Sequence, residues 1–120
     1  MVVNLFVGLV AALHAYFLAL EMFLWTKPLG RKVFAQSKEQ ALATKVLAAN
    51  QGLYNGFLVA GLIWSLLHPT PDFAYQLKIF FLGCVIVAGC YGAFSVNKKI
   101  FYVQALPALI GLGVLLLGGF

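Results

Sequence analysis

The chain has 120 residues, of which 63% are hydrophobic and only 9% charged, and its formal net charge is +5. Soluble domains run roughly 45–50% apolar and about 25% charged, so this composition excludes an ordinary water-soluble domain. Nucleic acid is not an expected partner either. The eight basic residues collect near the ends of apolar blocks, as a membrane topology signal does.

An α-helix needs about 20 mostly apolar residues to cross the ~30 Å hydrocarbon core of a bilayer. The chain has room for four such blocks and little else. Barrel strands would alternate polar and apolar residues, which runs such as Phe80–Ile86 and Val114–Leu117 do not. The expected fold is therefore all-α: one membrane domain over residues 1–120, a bundle of four transmembrane helices.

The first helix is expected over residues 3–25, with Trp25 as an interfacial anchor. No basic leader with a small-residue cleavage pattern precedes it, so it is read as retained. Pro28 and Gly30 break the chain among Lys27, Arg31, Lys32 and Lys38. Ser37 followed by Gln40 suits a capping box, so the second helix is expected over residues 38–67. His68-Pro69-Thr70-Pro71 stops it, and Asp72 can cap a third helix over residues 72–94. Within that helix Cys84 and Cys90 are turned about 240° apart, which argues against a disulfide between them. A fourth helix is expected over residues 97–120. Lys and Arg gather at the first and third connections, where Lys98 and Lys99 add to the earlier group. An excess of these residues marks the cytoplasmic side, so both termini are expected on the non-cytoplasmic side.

Small residues recur at helical spacing: Ala48, Gly52, Gly56 and Ala60, then Ala11, Ala15 and Ala19, then Gly89, Gly92 and Ala93. In lipid, close backbone approach supplies much of the packing between helices. A chain of four helices has little interior of its own, so a homo-oligomer is expected, with membrane lipids as its other partners.

Ionisable residues in a spanning segment are costly and need a reason. His14 and Glu21 lie on nearly one face of the first helix, and Glu21 and Lys45 fall at similar depth on antiparallel helices, where they are expected to approach. Asn50, Gln51, Tyr54 and Asn55 crowd one stretch of the second helix. Tyr102 and Gln104, with Tyr91, add polar groups from the last two helices. Amide side chains also serve as glue between membrane helices. The whole set instead outlines a polar pocket towards the cytoplasmic half, with Glu21, Lys45, Asn50, Gln51, Tyr54, Asn55, Tyr102 and Gln104 as its candidate ligand-binding residues. No Cys or His cluster has metal-ligand spacing, no glycine-rich phosphate loop appears, and Ser65 and Ser95 have no base beside them in sequence.

The stretch 17–25, then Gly30-Arg31-Lys32-Val33-Phe34, then the stretch 45–56, resemble a family of short bacterial membrane proteins known only as a domain of unknown function. That resemblance implies a multi-pass protein of the bacterial inner membrane and does not say what activity it has. The layout also resembles the MAPEG family, the membrane-associated proteins in eicosanoid and glutathione metabolism. Arg31-Lys32-Val33-Phe34-Ala35 is similar to a basic loop of some members, and Asn50 and Tyr102 before Leu106-Pro107 also fit. This likeness implies a trimer and a ligand between subunits, with glutathione as the cofactor in the enzymes. The chain departs from that pattern where Ala48 and Ala49 precede Asn50 and Leu53 stands three residues after it, positions at which the enzymes carry arginines and a Glu. At the start of the fourth helix only Lys98 or Lys99 stands where an Arg is expected. A Lys offers a point charge in place of a planar fork.

Three functions follow from these residues. The first is a MAPEG-like oligomer binding a lipophilic or amphiphilic small molecule. The second is a small transporter or channel subunit, with Glu21, Lys45 and His14 on an ion path. The third is a non-catalytic assembly factor for a larger membrane complex.

Overall fold

A computed structural model describes residues 2–118. They form helices α1 (Val2–Met22), α2 (Pro28–Val33), α3 (Lys38–Ala43), α4 (Lys45–Leu67) and α5 (Pro71–Ser95), then a π-helical turn (Phe101–Ala105) that runs into α6 (Leu106–Leu116). No strand occurs among the described residues. α1, α4 and α5 have 21, 23 and 25 residues and are long and apolar enough to cross a membrane. At 1.5 Å per residue they measure about 32–38 Å. The apolar stretch Phe101–Leu116 is shorter, and the expected reach of the fourth helix to residue 120 lies partly outside the described residues.

The chain forms two compact units. One comprises the chain up to Leu13 and from Leu58 onward; the other is His14–Phe57. α1 and α4 each contribute to both.

In the first unit Val3, Val7, Val10 and Ala11 of α1 pack with Leu62 of α4, Leu82 and Val85 of α5, and Ala108 and Leu115 of α6. Spacings of three and four residues put each set on one helical face. α5 and the last segment meet through small residues. A side-chain carbon on Gly89 would fall against the backbone and methyl of Ala105, and one on Gly92 against Ile100. Ile100 and Ala105 are five residues apart, a spacing that an α-helix turns to different faces. The π-helical turn between them, closed by the bond from the Leu106 N–H to the Phe101 carbonyl, brings both onto α5. Pro107 lies just beyond, and its missing N–H already leaves the Val103 carbonyl without an α-helical donor.

In the second unit α1 ends at Met22 rather than at residue 25. The N–H groups of Phe23 and Leu24 both turn back to the Ala19 carbonyl. Gly30 sits so close to the Leu24 carbonyl that any side chain there would overlap it. The basic connection is helical as α2. It closes with Gln36 N–H on the Arg31 carbonyl and Ala35 N–H on the Lys32 carbonyl, with Ala35 at φ 52°. This is a Schellman ending with Ala where Gly is usual. The expected capping box forms: the Ser37 hydroxyl accepts from Gln40 N–H, and Gln40 Oε1 accepts from Ser37 N–H.

The expected continuous helix over 38–67 is interrupted at Thr44, which separates α3 from α4. The Thr44 hydroxyl donates to the Gln40 carbonyl at 2.8 Å and accepts from Trp25 Nε1 at 3.0 Å. Hydroxyls that bond back to the preceding turn bend helices. Trp25 also packs its ring 4.8 Å from that of Phe34.

Candidate functional site

The candidate residues on α1 and α4 sort by helical face. On α4, Ala48, Gly52 and Asn55 recur at four and three residues, and all three are buried. Gly52 lies against Leu18, Glu21 and Met22 of α1, and Gly56 faces Leu18. The small-residue stripe seen in the sequence is thus met within the same chain as far as Gly56; Ala60 is exposed. The close approach at Gly52 lets a short side chain on α4 reach α1 one turn further on. Asn55, only 5% exposed, donates from Nδ2 to Oε1 of the half-buried Glu21 at 2.5 Å.

The expected approach of Glu21 to Lys45 is corrected here: the carboxylate is met by Asn55, and Lys45 is exposed at the start of α4. Matching depth on antiparallel helices was the basis for that expectation. The depths do not in fact match: Glu21 lies level with Gly52 and Asn55, and Lys45 precedes Asn55 by ten residues, about 15 Å along the axis of α4.

Asn50, Gln51 and Tyr54 are exposed, Tyr54 to 60%. Asn50 and Tyr54 are one turn apart and Gln51 flanks them, so they form a polar patch bordered by Leu47, Leu53 and Phe57, which are also exposed. The Tyr54 ring packs edge-on to Phe57 with centroids 5.8 Å apart. The expected polar cluster therefore divides. Asn55 turns inward to Glu21, while Asn50, Gln51 and Tyr54 turn out from the chain. His14 is fully buried, its ring edge-on to Phe17 at 5.6 Å.

Tyr102 and Gln104 belong to the first unit, on the π-helical turn. Tyr102 is 65% exposed and Gln104 is half-buried.

Two residues escaped the sequence reading. Lys78 is 6% exposed on the inner face of α5, in line with Ala74, Leu82, Val85 and Gly89. The signal was present in those spacings: Lys78 stands four residues from both Ala74 and Leu82, on the apolar stripe. Thr44 is the other, and its bond to Trp25 joins residues 19 positions apart, which no local pattern discloses. Among the described residues no group of three or more His, Cys, Asp or Glu is arranged to hold a metal ion. Cys84 and Cys90 are both free thiols.

The comparison with known proteins agrees with the sequence pattern. The uncharacterized protein YpaA of Lactococcus lactis subsp. lactis (strain IL1403) is 33% identical over 108 residues, which cover 87% of this chain and 87% of that protein. No solved structure matches the chain. Residues 8–116 match the family described as Protein of unknown function (DUF1304). That match runs from the second turn of α1 to the end of α6 and takes in every candidate residue on both units, so the chain belongs to the DUF1304 family.

Proposed function

We propose that this protein is a four-span protein of a bacterial inner membrane, with both termini on the non-cytoplasmic side. In this reading it assembles as a homo-oligomer and holds a lipophilic or amphiphilic small molecule against the polar face of α4. One observation carries it: Asn50, Gln51 and Tyr54 are exposed on a helix long and apolar enough to cross a membrane. An amide or hydroxyl left in hydrocarbon without a partner costs several kcal/mol, on the order of 2–7. A second copy, or a ligand trapped beside it, would supply the missing partners. The resemblance to MAPEG proteins supports a trimer with the ligand between subunits.

The Glu21–Asn55 bond then has a positioning role. It holds the inner face of α4 on α1 while the outer face stays available. The apolar neighbours Leu47, Leu53 and Phe57 suit the tail of a lipid-like molecule, and the amides of Asn50 and Gln51 suit its polar end. No charged group stands on this patch to hold a peptide's carboxylates, which favours a neutral or weakly polar head over glutathione.

Native mass spectrometry of the gently extracted protein tests the proposal. The expected result is a trimer carrying a defined extra mass, which is lost in Asn50→Leu while the trimer persists. A bare monomer would overturn the reading, and one bound to a different protein would put the assembly-factor alternative in its place.

A further inference from the structure

Where α5 turns into the last segment, the first unit has a groove of about 360 Å³ lined by Cys90, Ala93 and Phe94 of α5, Lys98 of the turn, and Phe101 and Tyr102 of the π-helical turn. It opens beside the close contacts of Gly89 with Ala105 and Gly92 with Ile100. Those contacts fix the spacing of its two walls. Its rim is unusually bare for apolar surface: Phe94 is 93% exposed and Tyr102 65%.

The one charged side chain lining it is Lys98, and from residue 73 onward the chain carries Lys78, Lys98 and Lys99 but no Asp or Glu. The turn that carries Lys98 and Lys99 is ordered by Asn97, whose Oδ1 accepts the Lys99 N–H at 2.9 Å. Lys98 lies three residues beyond the end of α5 at Ser95. For a helix that crosses a bilayer, that is headgroup level, where a lysine keeps its ammonium in the polar layer and lays its stem along apolar surface. The aromatic walls continue from there alongside the spanning helix.

A soluble anion would gain little here, since a single exposed lysine is a weak site in water. A hydrocarbon chain gains from every apolar wall residue, and a phosphate attached to it would arrive at Lys98 already in register. We propose that this groove binds one anionic phospholipid of the surrounding bilayer, with its phosphate on Lys98 and one acyl chain against Ala93, Phe94 and Phe101. The Tyr102 hydroxyl, at the same rim, is placed to donate to the headgroup. The site rests on the reading of α5 as a membrane span and is independent of the polar face of α4.

The test is native mass spectrometry of the full chain in detergent micelles, titrated with phosphatidylglycerol and phosphatidylcholine of identical acyl chains. One phosphatidylglycerol per subunit should be retained, with about fivefold preference over phosphatidylcholine, the gain expected of one lysine near an anionic headgroup. Lys98→Gln should abolish the preference and Lys98→Arg should keep it. Ala93→Phe, which fills the groove, should lower retention of both lipids. Glycerophosphoglycerol, the same headgroup without chains, should not compete. Equal retention of the two lipids by the unaltered protein, a preference unchanged in Lys98→Gln, or competition by the chainless headgroup would each overturn the site. Should Lys98→Gln fail to fold, loss of preference in Lys98→Arg or undiminished retention in Ala93→Phe would do the same. Subunit number is read from the same spectra, so a monomer that keeps its phosphatidylglycerol would count against the oligomer alone.

Discussion

A carboxylate on a helix apolar enough to cross a bilayer needs a donor close by, and Asn55 supplies one to Glu21. Deleting the donor strands the acceptor, and an unmet buried acceptor costs more than the bond itself contributes. Asn55→Leu should therefore destabilise the protein by about 1–3 kcal/mol. Glu21→Gln keeps an acceptor oxygen in place and removes the charge, so its cost should stay below about 1 kcal/mol, within the range for hydrogen bonds between membrane helices. The double variant should cost less than the sum of its parts, by about 0.5–2 kcal/mol. Unfolding midpoints in mixed micelles of increasing SDS content would read all three, and strict additivity would show that the two side chains are not coupled. Lys45, exposed at the head of α4, should contribute nothing to that cycle.

Glycine has two opposite roles along α5. At Gly89 a side chain would press on the backbone N and Cα of Ala105, whereas around Gly83 there is nothing within 4 Å. Gly89→Ala should therefore force α5 off the π-helical turn, at about 1–3 kcal/mol for overpacking. Gly83→Ala should stabilise α5 by about 0.5–1 kcal/mol through helix propensity alone. The comparison also reports on assembly: a Gly83→Ala protein that loses subunits in native spectra would mark that face as an interface between copies. Much at this level was legible in the residues. The third helix needed only the prolines before it and the largely apolar run after them, although Thr70 is its N-cap and Asp72 lies in the first turn without capping it; the capping box at Ser37 and Gln40 needed only its own four residues. The break at Thr44 and the early end of α1 were not legible, because each depends on a partner brought close by folding: Trp25 for one, Gly30 against Leu24 for the other. The π-helical turn was hidden for a similar reason, since its justification is the pair of glycines on α5. The polar stretch 50–55 was recognised as unusual, but type and spacing alone did not say that Asn55 would turn inward while Asn50, Gln51 and Tyr54 turned out.

Over the whole molecule, large apolar side chains lie exposed along every long helix, among them Leu5 at 72%, Val46 at 73%, Phe80 at 62% and Val87 at 70%. A soluble monomer rarely shows contiguous apolar surface on this scale. A bilayer around the three helices long and apolar enough to cross it would cover such a surface. On the proposed topology the basic connections share one side. Single cysteines at Ser37 and Asn97, introduced with Cys84 and Cys90 replaced by Ala, should react with a membrane-impermeant maleimide only from the cytoplasmic face. A cysteine at Thr70 should react only from the opposite face. Labelling of Asn97→Cys and Thr70→Cys from the same side would mean that α5 does not cross, and would remove the basis for an even number of spans.

The π-helical turn has a consequence for how this segment is compared between relatives. A π turn holds one residue more than the α turn it replaces, so Phe101–Ala105 is equivalent to an ordinary helix that has gained a single codon. Helical faces before and after it follow two different frames: Ile100 belongs to one, and Ala105, Ala108, Gly111 and Leu115 to the other. A relative lacking the extra residue would keep the second frame only by rotating the first by about 100°, which would move Lys98 off its groove. A one-residue gap in this stretch of an alignment would thus mark a change in the surface that the turn presents, while the packing of α6 stayed the same.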